Sequence, residues 1–290
     1  MKEKILIIGG SGFIGSYVAE EFRKEKKDVA ILDKKKPYKT LTDQKYFNID
    51  IKESLKVKKI LKNYSSIYYF ADIADINESK KKYMETINHN ILTLSNILSA
   101  CVSSKIKKFT YASSLYVYSE SGSFYRASKQ CAEILVKEFS KIGKFDYTFL
   151  RYGSVYGERA QSWNGISKFI EQINKQGKVT YQGSGREIRD YIHVKDAAKL
   201  TIKAHNQTIN EKSVSIFGDR PLTVDQLFDL IFDIVGKKKK VKYLNKINSD
   251  DHYGYTPYRF IPDESIKISS NKYIDLGEGI FRLLKYKNNE

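Results

Sequence analysis

The chain has 290 residues, of which 41% are hydrophobic and 29% are charged, a composition typical of a folded globular protein and not of a disordered one. No apolar run approaches the roughly 18 residues that a membrane span needs. The two cysteines, Cys101 and Cys131, cannot form a disulfide framework and lack the spacing of a metal site. We therefore expect a cytoplasmic protein without a bound metal and without membrane contact.

The net charge of +17 raises the question of nucleic-acid binding. Most of the excess is lysine, spread over segments such as 34–36, 80–82 and 237–240, and no helix-turn-helix or aromatic-basic signature accompanies it. Arginine, the better reader of phosphate and guanine, is scarce. We therefore expect the lysines to lie on solvated faces, with nucleic-acid binding as a minor alternative. A basic surface also suits a small anionic substrate.

Apolar runs and amphipathic segments alternate along the first 150 residues. The predicted strands cover 4–8, 28–33, 66–71, 109–112 and 147–150, and the predicted helices follow Gly15 and cover 54–61, 90–102 and 125–139. This alternation predicts a Rossmann-type, doubly wound parallel α/β sheet. Beyond residue 150 the pattern is looser, with helices over 166–176, 196–206 and 223–236 and a short strand over 191–194. We expect a smaller C-terminal α/β lobe there.

A glycine motif lies between the first strand and the first helix. Gly9, Gly12 and Gly15 allow a tight turn and a close backbone approach to a pyrophosphate, while the helix N-terminus supplies unpaired N–H groups. Asp33 ends the next strand, 18 residues after Gly15, where a carboxylate accepts hydrogen bonds from the adenine ribose and repels a 2′-phosphate. The motif therefore predicts NAD in preference to NADP; a turn made for packing alone is the alternative.

A tyrosine and a lysine four residues apart occur twice in the sequence, as Tyr125 with Lys129 and as Tyr191 with Lys195. The first pair begins an amphipathic helix, where such residues share a face, and Ser114 ends the strand before it. The second pair lies in a strand-like segment. Tyrosine is a poor base at neutral pH unless a nearby cation favours its phenolate, so we predict that the first pair is the catalytic one.

Several segments, taken in chain order, form a recognisable set. They are the glycine motif, the pair Phe70-Ala71, a segment that begins at Asn90, the run 112–118, the pair Tyr125/Lys129, the run 150–159 and the run 183–194. Together they resemble the extended short-chain dehydrogenase/reductases that modify nucleotide sugars, the group of UDP-glucose 4-epimerase and the sugar dehydratases. The resemblance extends from the glycine motif to about residue 236.

The resemblance implies hydride transfer between a sugar carbon, usually carbon 4, and NAD. Tyr125 would take the proton of the sugar hydroxyl, Ser114 would hydrogen-bond the same oxygen, and Lys129 would bind the nicotinamide ribose. The implied cofactor-binding residues are Gly9, Gly12, Phe13, Ile14, Gly15, Asp33, Asp50, Ile51, Phe70, Ala71, Asn90, Tyr125, Lys129 and Tyr152. The implied substrate-binding residues are Ser154, Arg159, Arg189 and Arg259.

The same resemblance suggests how the chain is divided and how it assembles. We expect residues 1–153, with about 190–217, to form the NAD-binding Rossmann domain, and residues 154–189 and 218–290 to form the nucleotide-sugar-binding lobe. The helices near Asn90 and Tyr125 resemble a dimer interface, and Leu92, Ile134 and Leu135 are apolar positions that a monomer would expose. We therefore expect a homodimer.

Three departures from the family pattern bear on function. Ser154 replaces an asparagine near the diphosphate, Leu115-Tyr116 replaces the acidic pair of dehydratases, and the connection from Ser114 to Tyr125 is short. A shorter pocket wall would release a keto sugar more easily. The sequence thus favours a nucleotide-sugar 4-dehydrogenase, with a small keto acid as a second substrate. The alternatives are a 4-epimerase with a transient 4-keto intermediate and, further off, a non-catalytic NAD-binding scaffold.

Overall fold

A computed structural model of the protein describes residues 3–38, 41, 43–245, 266–269 and 273–288. Its strands are β1 (Lys4–Ile8), β2 (Asp28–Asp33), β3 (Lys45–Asn48), β4 (Ser66–Tyr69), β5 (Lys108–Ser114), β6 (Asp146–Tyr152), β7 (Ser154–Tyr156), β8 (Val179–Tyr181), β9 (Ile188–His193), β10 (Lys212–Ile216), β11 (Pro221–Thr223), β12 (Val241–Tyr243) and β13 (Ile266–Lys267). Its α-helices are α1 (Phe13–Lys24), α2 (Ser54–Leu61), α3 (Ile76–Lys81), α4 (Tyr83–Ile87), α5 (Leu94–Ser104), α6 (Ser123–Gly143), α7 (Gly165–Gln176), α8 (Val194–Asn206), α9 (Val224–Val235) and α10 (Leu276–Asn288).

Eight of these strands form one parallel sheet in the order β13-β10-β6-β5-β4-β1-β2-β3. The chain builds the sheet outward from β1 to β3 and then from β4 outward on the other side. The carboxyl ends of β1 and β4 therefore meet at a topological switch point, where open α/β sheets bind their ligands. The predicted Rossmann-type doubly wound sheet is confirmed.

Two apolar layers cover the faces of this sheet, because successive residues of a strand point to opposite sides. Ile5 and Ile7 of β1 pack in the cluster that contains α1 and α8. Leu6 and Ile8 pack in the cluster that contains α2, α5 and α6. None of the helices within the described ranges is long and apolar enough to cross a membrane.

A third apolar cluster belongs to the elements that follow β6. It unites α7, α9 and α10 through residues such as Ile170, Phe228 and Ile280. The small sheets β11-β9-β7 and β12-β8 accompany these helices. These elements form the smaller α/β lobe, while its exact boundaries stay a prediction.

The helix predicted over 90–102 differs from the one observed. A π-helical turn, Asn88–Thr93, joins α4 to α5, so the helical segment begins well before Asn90. Hydrophobic periodicity at 3.6 residues does not indicate such a turn, since it changes the backbone hydrogen-bonding pattern and not the apolar composition. π-Helical turns occur frequently at functional sites, and this one supplies two side chains that hold the edge of the cavity described below.

Candidate active site

The turn after β1 is packed so closely that its glycines leave no room for side chains. Gly9 has a φ of +82°, and a Cβ there would lie 2.7 Å from the carbonyl carbon of Phe70. A Cβ on Gly15 would lie 2.4 Å from the Gly9 carbonyl oxygen, so α1 begins directly against the turn. Gly12 is the N-cap of α1 and makes no side-chain hydrogen bond. The first N–H groups of α1 are therefore available to an anion such as a pyrophosphate.

Asp33 is fixed at the rim of the same turn. Its Oδ2 accepts a hydrogen bond from the Ser11 N–H at 3.0 Å, and its Oδ1 accepts one from the Lys35 N–H at 2.9 Å. The Ser11 hydroxyl is buried and has no partner within the described part of the chain, which leaves a donor for a phosphate oxygen. The glycine turn, the helix N-terminus and this carboxylate fit a dinucleotide.

A cavity of about 970 Å³ extends from the glycine turn to β9. This volume lies at the upper end of the usual range for ligand pockets, about 300–1,000 Å³. Most of the site residues predicted from the sequence line it. They are Gly9, Gly12, Phe13, Ile14, Gly15, Asp33, Asp50, Ile51, Phe70, Ala71, Ser114, Tyr125, Lys129, Tyr152, Ser154 and Arg189.

Ser114, Tyr125 and Lys129 come together on one side of this cavity. Ser114 is the last residue of β5 and is almost fully buried, and its Oγ accepts a hydrogen bond from the Tyr116 N–H at 3.3 Å. Tyr125 and Lys129 lie one turn apart on α6, with the lysine Nζ 5.7 Å from the tyrosine ring centroid. This arrangement permits proton transfer by a phenol beside a cation.

Asp72 is a residue of the cavity wall that was not predicted from the sequence. Its side chain is only 4% exposed, and its Oδ2 lies 2.7 Å from the Lys129 Nζ and 2.5 Å from the Tyr111 hydroxyl. The Lys129 ammonium also donates to the Ala112 carbonyl oxygen at 2.6 Å. The signal available in the sequence was an acidic residue directly after Phe70-Ala71, close to the carboxyl end of a buried strand.

Asn90, predicted to bind the cofactor, lies outside the cavity wall. Its amide is fully buried, accepts from the Ile73 N–H at 2.8 Å, and donates to the Ile73 carbonyl at 3.0 Å and to the Ser128 Oγ at 3.1 Å. The neighbouring His89 lies on the cavity wall and hydrogen-bonds the Ala71 carbonyl at 2.7 Å. Asn90 thus anchors the loop that contains Asp72 to α6, with both amide protons already donated, and its contact with the cofactor stays a prediction.

The three arginines predicted to bind substrate differ in where they lie. Arg189, on β9, is buried and lines the cavity. Arg159 is placed elsewhere: its guanidinium pairs with Glu20 at 2.7 Å and lies 4.4 Å from the ring centroid of Tyr17. Arg159 thus joins the loop after β7 to α1 and does not line the cavity, and its contact with substrate stays a prediction. Arg259 lies outside the described residues.

The second tyrosine–lysine pair does not resemble the first in geometry. Tyr191 lies on β9 and lines the cavity, but Lys195 lies in the first turn of α8 and donates to Glu158 at 3.0 Å. Lys195 is absent from the cavity wall. The change from strand to helix between the two residues separates them, as the strand-like sequence around Tyr191 predicted.

The short connection from Ser114 to Tyr125 forms part of the cavity wall. A 3-10 turn, Leu115–Tyr118, is followed by Gly122, whose φ is +104°. A Cβ on Gly122 would lie 2.6 Å from the Tyr116 ring, which packs edge-on against Tyr125 with centroids 5.8 Å apart. Arg126 donates to the Ser119 carbonyl at 3.0 Å. The short loop thus places the Tyr116 ring beside Tyr125.

A dinucleotide-binding turn at the switch point of a parallel sheet, with a serine, a tyrosine and a lysine on the same cavity, defines a nicotinamide-dependent oxidoreductase of the short-chain type. Residues 5–216 match the model of the NAD dependent epimerase/dehydratase family. The chain belongs to this family, whose enzymes use NAD and modify nucleotide sugars.

Similar proteins include several sugar-nucleotide epimerases. An uncharacterized UDP-glucose epimerase of Bacillus subtilis (strain 168) is 29% identical over 272 residues, 84% of this chain and 86% of that protein. The UDP-glucuronate 4-epimerase of Thermodesulfobacterium geofontis is 26% identical over 274 residues, 84% of each chain. The crystal structure of the UDP-glucuronic acid 4-epimerase from Bacillus cereus, in complex with UDP-glucuronic acid and NAD, has the same fold, with a TM-score of 0.83 over 99% of each chain at 21% identity.

Proposed function

We propose that the protein is an NAD-dependent 4-epimerase of a nucleoside-diphosphate sugar. The observation that supports this most directly is that Ser114, Tyr125 and Lys129 line one cavity with the glycine turn and with Arg189. The cavity therefore combines a cofactor-binding turn, a proton-transfer group and a buried cation that can bind a diphosphate. The proposal takes up the epimerase alternative of the sequence analysis, which the related epimerases favour over net oxidation.

The residues divide the chemistry between them. The glycine turn and Asp33 would hold NAD, which would supply the hydride acceptor for the sugar carbon and the source of the hydride that returns to the opposite face of the ring. Tyr125 removes the proton of the sugar hydroxyl and later gives it back, and Ser114 donates a hydrogen bond to the same oxygen. The Lys129 ammonium stabilises the phenolate electrostatically, and Arg189 binds the diphosphate of the nucleotide.

The cavity wall also supports epimerisation over dehydration or net oxidation. Leu115 and Tyr116 follow Ser114, and neither provides the carboxyl group that would eliminate water. An epimerase must retain its 4-keto intermediate until hydride returns. The Tyr116 ring lines this wall and packs edge-on against Tyr125, where it would hinder escape of the intermediate past the short connection.

Net oxidation, with a small keto acid reoxidising the cofactor, is the second candidate function. The observation that favours it is the short connection from Ser114 to Tyr125. The two activities differ in the fate of the hydrogen at carbon 4. We suggest incubating the protein and NAD with UDP-sugars deuterated at carbon 4, and following products by chromatography and mass spectrometry. Epimerisation gives an isomer of unchanged mass that keeps the label, without net NADH absorbance.

Catalytic assignment is tested in the same assay by two matched variants. Tyr125→Phe is expected to lower turnover by about 10² or more, the range for loss of a general acid–base group, with NAD still bound. Tyr191→Phe, also on the cavity wall, should keep most turnover because Lys195 lies away from it. Equal losses would contradict the choice of pair, and a keto product matched by accumulating NADH would contradict the epimerase.

An exposed apolar surface supports the homodimer. Met84, Leu92 and Ile134 are 56%, 54% and 62% exposed, and they lie on α4, the π-helical turn and α6, which pack against one another. Large exposed apolar areas on a monomer often mark an interface. The sequence suggested that Leu135 also belongs to this surface. The structure places Leu135 half-buried against the core beneath α6, so we leave it out of the proposed interface. The assembly brings two copies together through these helices.

The cytoplasm is the compartment that fits this activity, since NAD and nucleotide sugars are both available there. Cys101 and Cys131 are unpaired thiols, as expected of a protein in a reducing compartment.

The division into an NAD-binding domain (1–153 with about 190–217) and a nucleotide-sugar lobe (154–189 and 218–290) belongs to the same proposal. It is supported by the position of β10 in the central sheet and by the separate apolar cluster of α7, α9 and α10. One short strand departs from it, because β13 pairs with β10 and therefore belongs to the central sheet and not to the lobe.

A further inference from the structure

The buried ion pair between Asp72 and Lys129 is not required by the proton transfer assigned to Tyr125. Both side chains are nearly inaccessible, at 4% and 5% exposure, and both line the cavity. Their separation in the sequence is 57 residues, so the pair exists only because the loop after β4 lies against α6. A carboxylate placed here needs an explanation beyond packing, because burying charges is costly.

The hydrogen bonds of Asp72 are unevenly distributed over its two oxygens. Oδ2 accepts from both Lys129 and Tyr111, while Oδ1 is buried without a partner within the described residues. Burial, with the neighbouring carboxylate as a further cause, raises the pKa of Tyr111 well above its ordinary value, so that phenol stays a neutral donor. Lys129 therefore provides the only positive charge among the groups bonded to the Asp72 carboxylate.

The backbone around Asp72 is anchored from both sides. His89 binds the carbonyl of Ala71, and Asn90 binds both backbone groups of Ile73. Asn90 also binds Ser128, the residue before Lys129. The carboxylate and the ammonium are consequently held at a fixed separation by the π-helical turn and not only by their mutual attraction.

The charge of this pair matters because a nicotinamide ring is cationic when oxidised and neutral when reduced. A lone buried ammonium at the cofactor site would repel the oxidised form. We propose that Asp72 is a positioning residue that holds Lys129 and offsets its charge, so that the site accepts the oxidised cofactor. The proposal rests on the assignment of Lys129 to the cofactor site, and it concerns binding and not the sugar chemistry.

The test is the ratio of the dissociation constants for NAD and NADH, measured by calorimetric and fluorescence titration of the full chain. Asp72→Asn keeps the shape but removes the charge. It should weaken NAD binding more than NADH binding and shift the ratio by about 5-fold or more, because 5-fold corresponds to the roughly 1 kcal/mol between unit charges about 4 Å apart even in water. Tyr111→Phe, which removes the other bond to Oδ2 but keeps the carboxylate, should leave the ratio unchanged.

A double variant keeps the test decisive if an unpaired Lys129 prevents folding. Asp72→Asn with Lys129→Met removes both charges, an exchange that folded proteins often tolerate, and the ratio should return towards that of the wild type. Equal changes in both dissociation constants for Asp72→Asn would overturn the proposal, as would a double variant that shows the ratio shifted as far as in the single variant. A wild-type chain that binds neither form would overturn the proposed function as well.

Discussion

Cofactor choice at Asp33 offers a quantitative test of the site. The Ser11 N–H holds the Asp33 carboxylate against the glycine turn at 3.0 Å, so the side chain cannot turn away from a ribose bound there. A hydrogen bond to a charged group contributes about 1.5–3 kcal/mol. Two like unit charges about 4 Å apart repel each other by about 1 kcal/mol in water and about 4 kcal/mol near a protein surface.

Asp33→Asn removes the charge with little change of shape, and it should weaken NADH while favouring NADPH. The lower ends of the two ranges together amount to about 2.5 kcal/mol, or roughly a 70-fold change in the ratio of the two dissociation constants. Fluorescence titration of the full chain measures both constants directly. Asp28→Asn, at the exposed opposite end of β2, is the matched control and should leave the ratio unchanged.

The wild-type chain itself should bind NADH much more tightly than NADPH. Comparable dissociation constants for the two would refute the reasoning, and so would an Asp33→Asn variant with an unchanged ratio. Lys34 and Lys35 also line the cavity and attract a 2′-phosphate. A ratio that shifts only when these lysines are replaced would show that they, and not Asp33, select the cofactor.

Two further predictions concern assembly and stability. Ile134→Glu should convert the dimer to a monomer in light scattering at micromolar concentration, whereas Leu55→Glu, on an exposed position of α2, should leave the dimer intact; a wild-type monomer would contradict the proposed interface. The hydrogen bond with His205 lowers the pKa of Glu3 from 4.5 to about 2 against the opposing effect of burial, so the stability from this carboxylate is fully present above about pH 5 and is lost as the pH falls towards 2. The difference in urea midpoint between the wild type and Glu3→Gln should therefore shrink between pH 5 and pH 3, and a difference that stays constant would contradict it.

The parts of the site that the sequence predicted are those formed by neighbouring residues. Gly9, Gly12 and Gly15 lie in one turn, and Asp33 ends the next strand, so the strand–turn–helix pattern is enough to place them. Tyr125 and Lys129 are four residues apart in one helix, so they share a helix face. Parallel topology then brings these segments to one edge of the sheet, which is why most predicted residues line a single cavity.

The parts that escaped prediction depend on contacts between distant segments. The Asp72–Lys129 pair joins a loop to a helix 57 residues away, and no periodicity reports such a contact. Arg159 matched a family motif, yet Glu20, 139 residues earlier in the chain, takes its guanidinium. The bonds that Asn90 makes to Ile73 and Ser128 were likewise not predicted, because resemblance to a motif shows which residue is present but not which groups its amide binds.

The close approach of Gly9 to Phe70 has a consequence for redesigning the protein. A Cβ at Gly9 would lie within 2.8 Å of the backbone at both Phe70 and Ala71, so the glycine turn and the loop that contains Asp72 form one tightly packed unit. A substitution that widens either would displace the other, and cofactor affinity and charge balance would change together. Altered sugar preference is better sought at Tyr116 or Ser154, which line the cavity from different elements and can be varied without moving that unit.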